Sequence, residues 1–260
     1  MDLNAVQADL LTPEMSTLPP APGRRVRQVL ERYAGTDVYH AVYLPVEWQS
    51  GRAYPVIFEY PGNQWTSPDG DAGSGQLESC TLGYGISGGK DFIWVSLPFI
   101  SADGRQQQLR WWGDVDATVA YCKDAVKCVC AEFGGDANAL FLTGFSRGAI
   151  ACNFIGLHDD ECARLWRGFV AHSHYDGSEH WPECDPLSAR QRLQRLTGRP
   201  QFISHEGSVA HTERFIRESG IEGNFTFVAL PFTNHTDAWV LRDLPERRRL
   251  RAWLKSVLAD

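Results

Sequence analysis

The stretch from Ala139 to Leu157 constrains this chain more than any other. Ala139-Leu140-Phe141-Leu142-Thr143 is an apolar, β-prone run of strand length, and Ala149 to Leu157 has the apolar spacing of a helix. Between them, Gly144-Phe145-Ser146-Arg147-Gly148 matches G-x-S-x-G and sets Ser146 at the apex of a strand-to-helix turn. Small residues two before and two after Ser146 let strand and helix approach closely. The turn strains the Ser backbone and lifts its hydroxyl above the strand end. The N–H that follows points to where negative charge would develop on a reacting carbonyl. Three fixed positions in five recur by chance, so the flanking elements carry the meaning. Without them Ser146 reads as a simple helix cap.

The same alternation runs through the rest of the chain. Strands are expected over 38–44, 54–60, 92–97, 139–143, 169–172, 201–204 and 225–230. Helices are expected over 114–133, 149–157, 187–196, 213–219 and 245–258. Residues 62–90, rich in Gly, Ser and Asp, read as a long loop with one short helix. Residues 1–23, with Pro13, Pro19, Pro20 and Pro22, read as an extended N-terminal arm, and 24–260 as one domain. Strands separated by helices imply the α/β class, a mostly parallel central sheet with helices on both faces.

Through the strand–Gly-Phe-Ser-Arg-Gly–helix unit and the element order from about 36 to 258, the chain resembles the α/β-hydrolase superfamily. More loosely it is similar to the feruloyl-esterase and polyhydroxybutyrate-depolymerase-like branch. The resemblance implies the α/β-hydrolase fold and a serine triad, and names no substrate.

A serine hydroxyl needs a base to take its proton, and the base needs an orienting acid. In the superfamily these follow in the order Ser, acid, His. Of the histidines after Ser146, His235 lies in the loop Pro231–Asp237 just behind the final expected strand, where the superfamily places its base. His205 and His211 belong to the preceding strand–helix unit. The family's Gly-x-x-Asp after strand 201–204 is missing; His205-Glu206-Gly207-Ser208-Val209-Ala210 stands there, leaving Glu206 as a candidate acid. The other candidate, and the favoured one, is Asp176, in His172-Ser173-His174-Tyr175-Asp176-Gly177 one strand earlier, where some members carry the acid. Asp237 is too near His235 in sequence to face it.

An oxyanion hole needs two N–H groups aimed at the developing charge. Arg147 is expected to supply one, and Asn63 or Gln64 in Pro61-Gly62-Asn63-Gln64 the other. The Arg147 guanidinium suits either an anionic substrate group or a cover over the helix start. Among nine tryptophans, Trp65, Trp111, Trp112 and Trp181 fall in expected loops above the carboxyl ends of strands, where ligands bind in such sheets. Trp65, Trp112 and Trp181 are the candidate substrate-binding faces, for sugar rings or aromatic acyl groups, with packing as the alternative. His172-x-His174-x-Asp176 is like the H-x-H-x-D run of binuclear metallohydrolases, but Gly177 stands where that pattern needs a further His. Neither metal nor cofactor is expected.

Composition narrows the partners. A chain of 260 residues, 43% hydrophobic, can bury a substantial core. Net charge is −7, and the one basic run, Arg247-Arg248-Arg249, reads as the solvated face of a terminal helix, so nucleic acid is disfavoured. No apolar stretch approaches the roughly 18 residues a membrane span needs. Met1-Asp2-Leu3-Asn4-Ala5 has neither the basic nor the apolar region of a signal peptide, pointing to a soluble protein of the cytoplasm or, for a processed chain, the exterior. Seven cysteines, with Cys128-Val129-Cys130 lacking C-x-x-C spacing, are expected as reduced thiols. The expectation is serine-dependent hydrolysis of small-molecule or glycan carboxylic esters through an acyl-enzyme. A serine peptidase or amidase would use the same residues, and a binding module without catalysis is the non-enzyme alternative.

Overall fold

The computed structural model describes residues 2–66 and 72–259. The strands in chain order are β1 Met15–Ser16, β2 Arg25–Gln28, β3 His40–Tyr43, β4 Tyr54–Tyr60, β5 Gln64–Thr66, β6 Ala72–Ser74, β7 Ile93–Ser96, β8 Gly135–Phe145, β9 Gly168–His172, β10 Gln201–Glu206 and β11 Phe225–Leu230. The α-helices are α1 Leu82–Ser87, α2 Val115–Phe133, α3 Arg147–Phe154, α4 Asp160–Ala163, α5 Pro186–Leu193, α6 Ala210–Ser219 and α7 Pro245–Ala259. Nine strands form one sheet in the order β1-β2-β3-β7-β4-β8-β9-β10-β11, while β5 and β6 pair separately as a hairpin. From β7 to β11 every pairing is parallel; β3 runs antiparallel to both of its neighbours.

The period of two along each strand sorts its residues between the two faces. Phe58, Val95 and Leu142 pack with Val119, Cys122 and Val126 of α2. Their chain neighbours Ile57, Trp94 and Phe141 pack instead with Leu82 of α1 and with Leu250 and Leu254 of α7. Central parallel strands are therefore buried on both faces, which is why they read as continuous apolar runs. Helix α2 starts where the Asp114 side chain accepts a hydrogen bond from the Ala117 N–H. The register of β4 against β8 slips between Tyr54 and Val56, where Pro55 has no N–H to give the ladder.

Several expectations are corrected. The arm is not simply extended: Leu3–Ala5 is a 3-10 turn with Leu3 buried, and β1 pairs parallel with β2, a short strand the pattern did not reveal. Arg247 is not solvated. It is buried at 2% exposure and paired with Asp9 and Asp243, which ties the arm to α7. The expected loop 62–90 holds the β5–β6 hairpin, a 3-10 turn at Leu77–Ser79 and α1; its residues 67–71 lie outside the described residues. All seven cysteines are free, Cys122 and Cys152 among the buried ones. Among the described residues no helix is long and apolar enough to cross a membrane.

Candidate active site

At the carboxyl end of β8 the chain turns into α3 through Ser146, whose φ of 55° and ψ of −119° lie outside the ordinary regions for a side-chain-bearing residue. Two close approaches hold it there. A Cβ on Gly144 would lie 2.1 Å from the Gly148 carbonyl carbon, and one on Gly148 would lie 2.0 Å from the Tyr60 carbonyl oxygen. Only glycine fits at either position. The Ser146 N–H donates to the His172 carbonyl at 3.0 Å, anchoring the turn to β9.

Behind β11, His235 brings its Nε2 to 3.3 Å from Ser146 Oγ. Its Nδ1 lies 3.1 Å from Glu206 Oε1, at the end of β10. His172 pins this loop: its Nε2 donates to the Thr236 carbonyl at 3.0 Å, and its Nδ1 accepts from Ser204 Oγ at 3.1 Å. Burial holds the His172 imidazole below its usual range, consistent with this neutral tautomer. The Phe145 ring backs His235 at 4.7 Å between centroids. Burial pushes the Glu206 carboxyl up, but the His235 hydrogen bond and the nearness of His172 outweigh it and bring it to about 2. A hydroxyl, an imidazole and an ionised carboxylate so aligned can move a proton from Oγ to Nε2 while Nδ1–H stays directed at the acid.

The other candidate acid is elsewhere. Asp176 is fully buried and gives both oxygens to Arg192 of α5, at 2.7 and 2.9 Å. His205 turns its Nδ1 to the Glu206 carbonyl and His211 its Nε2 to the Ser178 carbonyl.

The expected donors also sort themselves. The Gln64 N–H is already committed to the Leu109 carbonyl at 2.7 Å, so it has no proton to offer an oxyanion. Asn63 accepts the Trp111 N–H on its side-chain oxygen, and its own N–H has no partner among the described residues. The same is true of the Arg147 N–H, which opens α3. The Arg147 side chain is buried and donates to the carbonyls of Gln108, Trp111, Gly62 and Gly75. It therefore stitches three loops to the turn, and the anionic-substrate reading of this guanidinium is corrected.

The tryptophans divide as well. Trp65 packs edge-on to His235 at 5.7 Å and lines a cavity of about 280 Å³ with Gly62, Asn63, Phe145, His235 and Asp237. Trp112, expected to face a ligand, is 1% exposed, packs on Phe99 and Phe154, and donates to the Pro182 carbonyl; it belongs to the core. Trp181 is two rings away from His235: it packs edge-on to His174 at 4.7 Å, and His174 lies 5.2 Å from His235. Burial and the neighbouring His235 pull His174 down to about 3, so it stays neutral. Ser173, His174 and Phe145 also lie against His235, a role pattern reading did not give them; the signal was their place, Phe145 as the last residue of β8 and Ser173 and His174 directly beyond β9. No group of three metal-ligating side chains is found among the described residues.

No family model matches the chain, and no curated protein matches it. Many solved structures do. A feruloyl esterase module from Clostridium thermocellum, an S954A mutant complexed with sinapinate, is similar at 14% identity and a TM-score of 0.59, with 95% of each chain covered. A thermostable esterase matches at 12% identity and 0.53, over 89% of this chain and 62% of that one. A putative dipeptidyl aminopeptidase IV from Bacteroides ovatus matches at 12% identity and 0.62, over 90% of this chain. The chain spans less than two thirds of the length of these last two, 62% and 35%. The fold is that of the α/β hydrolases, and esterases and a peptidase are among the proteins that share it.

Proposed function

We propose that this protein is a serine hydrolase of carboxylic esters that works through an acyl-enzyme. The observation that carries this reading is the line from Ser146 Oγ to His235 Nε2 and from His235 Nδ1 to Glu206, at the carboxyl end of the sheet. Ser146 attacks the ester carbonyl as His235 takes its proton, and Glu206 holds the ring and balances the imidazolium. The N–H groups of Arg147 and Asn63 stabilise the oxyanion. His235 then protonates the leaving alcohol, and water, activated by the same imidazole, cleaves the acyl-enzyme. The cavity beside Trp65 receives one side of the ester, and an indole face suits an aromatic acyl group or a sugar ring.

Labelling with a fluorophosphonate, followed by peptide mapping, tests the nucleophile. Label on Ser146 and its loss in Ser146→Ala are expected; a protein that stays unlabelled, or a Ser146→Ala variant with full activity, removes this reading. Matched ester and amide substrates separate an esterase from a peptidase, with turnover of the ester alone expected.

A further inference from the structure

The residue nearest to His235 Nδ1 is not Glu206. Ser173 Oγ lies 2.9 Å from that nitrogen, against 3.1 Å for Glu206 Oε1. Because Glu206 is ionised, it holds the imidazole proton on Nδ1, and the Ser173 oxygen can then only accept. One N–H is thus shared between two acceptors on neighbouring strand ends. Ser173 is buried, its Oγ has no other partner among the described residues, and its N–H is used by the Ser204 carbonyl at 2.8 Å.

The backbone sharpens the point. Ser173 has φ of 81°, a conformation natural to glycine and strained for a residue with a side chain. Here the side chain contributes a single hydroxyl, and that hydroxyl is on His235.

We propose that Ser173 is a positioning residue, a second acceptor for His235 Nδ1–H that fixes the ring's rotation and takes up charge as the imidazolium forms. This rests on the reading of Ser146 and His235 as nucleophile and base. Since β9 and β10 are parallel neighbours with His172 opposite Ser204, residues 173 and 206 reach the same nitrogen from adjacent strands. A carboxylate at 173 should then stand in for a missing one at 206, and aspartate tolerates positive φ.

The test compares Ser173→Gly, Glu206→Gln and Glu206→Gln/Ser173→Asp by their rate of fluorophosphonate labelling at Ser146, kcat and KM on a p-nitrophenyl ester, and thermal melting. Ser173→Gly is expected to melt at or above the wild-type temperature while labelling rate and kcat fall about tenfold, as loss of one hydrogen bond to a developing charge predicts, with KM unchanged. The double variant is expected to recover at least about tenfold over Glu206→Gln, since an ionised acceptor again faces Nδ1. A Ser173→Gly variant with the wild-type labelling rate, or a double variant no faster than Glu206→Gln, overturns the proposal. Those results leave the nucleophile untouched, whereas unreduced activity in Ser146→Ala would remove the catalytic reading itself.

Discussion

Arg192 grips Asp176 at two points, Nε to Oδ2 at 2.7 Å and Nη2 to Oδ1 at 2.9 Å. Burial pushes the Asp176 carboxyl up, and the guanidinium, which also lies 4.8 Å over the Phe154 ring, pulls against it. The pair ties the loop after β9 to α5. Breaking it leaves an uncompensated buried cation, whereas Glu206 makes its one side-chain hydrogen bond to His235. Asp176→Asn should therefore lower stability by about 3 kcal/mol or more, while kcat of the folded protein on an ester changes less than about tenfold. Glu206→Gln should be told apart by catalysis, with kcat of the folded protein falling about 10³-fold or more. Urea unfolding and ester kinetics on both variants check the pair; a large kcat loss in Asp176→Asn alone would reverse the assignment.

Glu206 also makes stability depend on acid. Its carboxyl sits at about 2 in the folded protein against 4.5 when free. The folded state thus binds this proton more weakly, so the contribution is present above about pH 4.5 and fades as pH falls toward 2. Urea unfolding from pH 5 to pH 2 should show a steeper decline for the wild type than for Glu206→Gln. Parallel curves would contradict it.

Glu59, buried in β4, accepts the N–H groups of Thr81, Leu82 and Gly83 and the Trp94 indole. Asp237 feels burial and the Glu59 charge, and is pushed up to about 7 from 3.8. A raised carboxyl binds its proton more tightly in the folded state, so its ionisation erodes stability as pH rises from about 4 through 7. Asp237→Asn should accordingly raise stability at pH 8 by about 1–2 kcal/mol and leave it unchanged at pH 3. Melting curves at the two pH values decide it; a loss at pH 8 would count against the carboxylate repulsion.

Gly148 meets backbone, not a movable side chain, so Gly148→Ala has no room to relax. A cost of about 2–3 kcal/mol and a loss of Ser146 labelling are expected, because the turn and the Arg147 N–H shift together. Calorimetry with the labelling assay checks both.

Trp65 borders the cavity and His235 without belonging to either hydrophobic face of the sheet. Trp65→Ala should raise KM for aromatic esters about tenfold, with kcat for a small acetyl ester and the melting temperature little changed. Equal losses on both substrates would point to a purely structural ring.

What could be read in the sequence was local or sequential. The place of Ser146 follows from an apolar strand, two glycines where backbones touch, and a helix, all within about twenty residues of chain. The parallel sheet follows from strands separated by helices, and His235 from its place after the last strand. Beyond these, the site depends on which groups meet. Asp176 lies just past the end of one strand and Glu206 at the end of the next, each near a histidine. What separates them is that Arg192, arriving on α5, claims the first, while the neighbouring register of β10 carries the second to His235. Gln64 lost its role to a carbonyl of a distant loop, and Trp112 went to the core while Trp65 stayed at the cavity. Hydrogen-bond partners and burial come from contacts far apart in the chain, and neither periodicity nor spacing encodes them, so only the tertiary structure decides what each polar group faces.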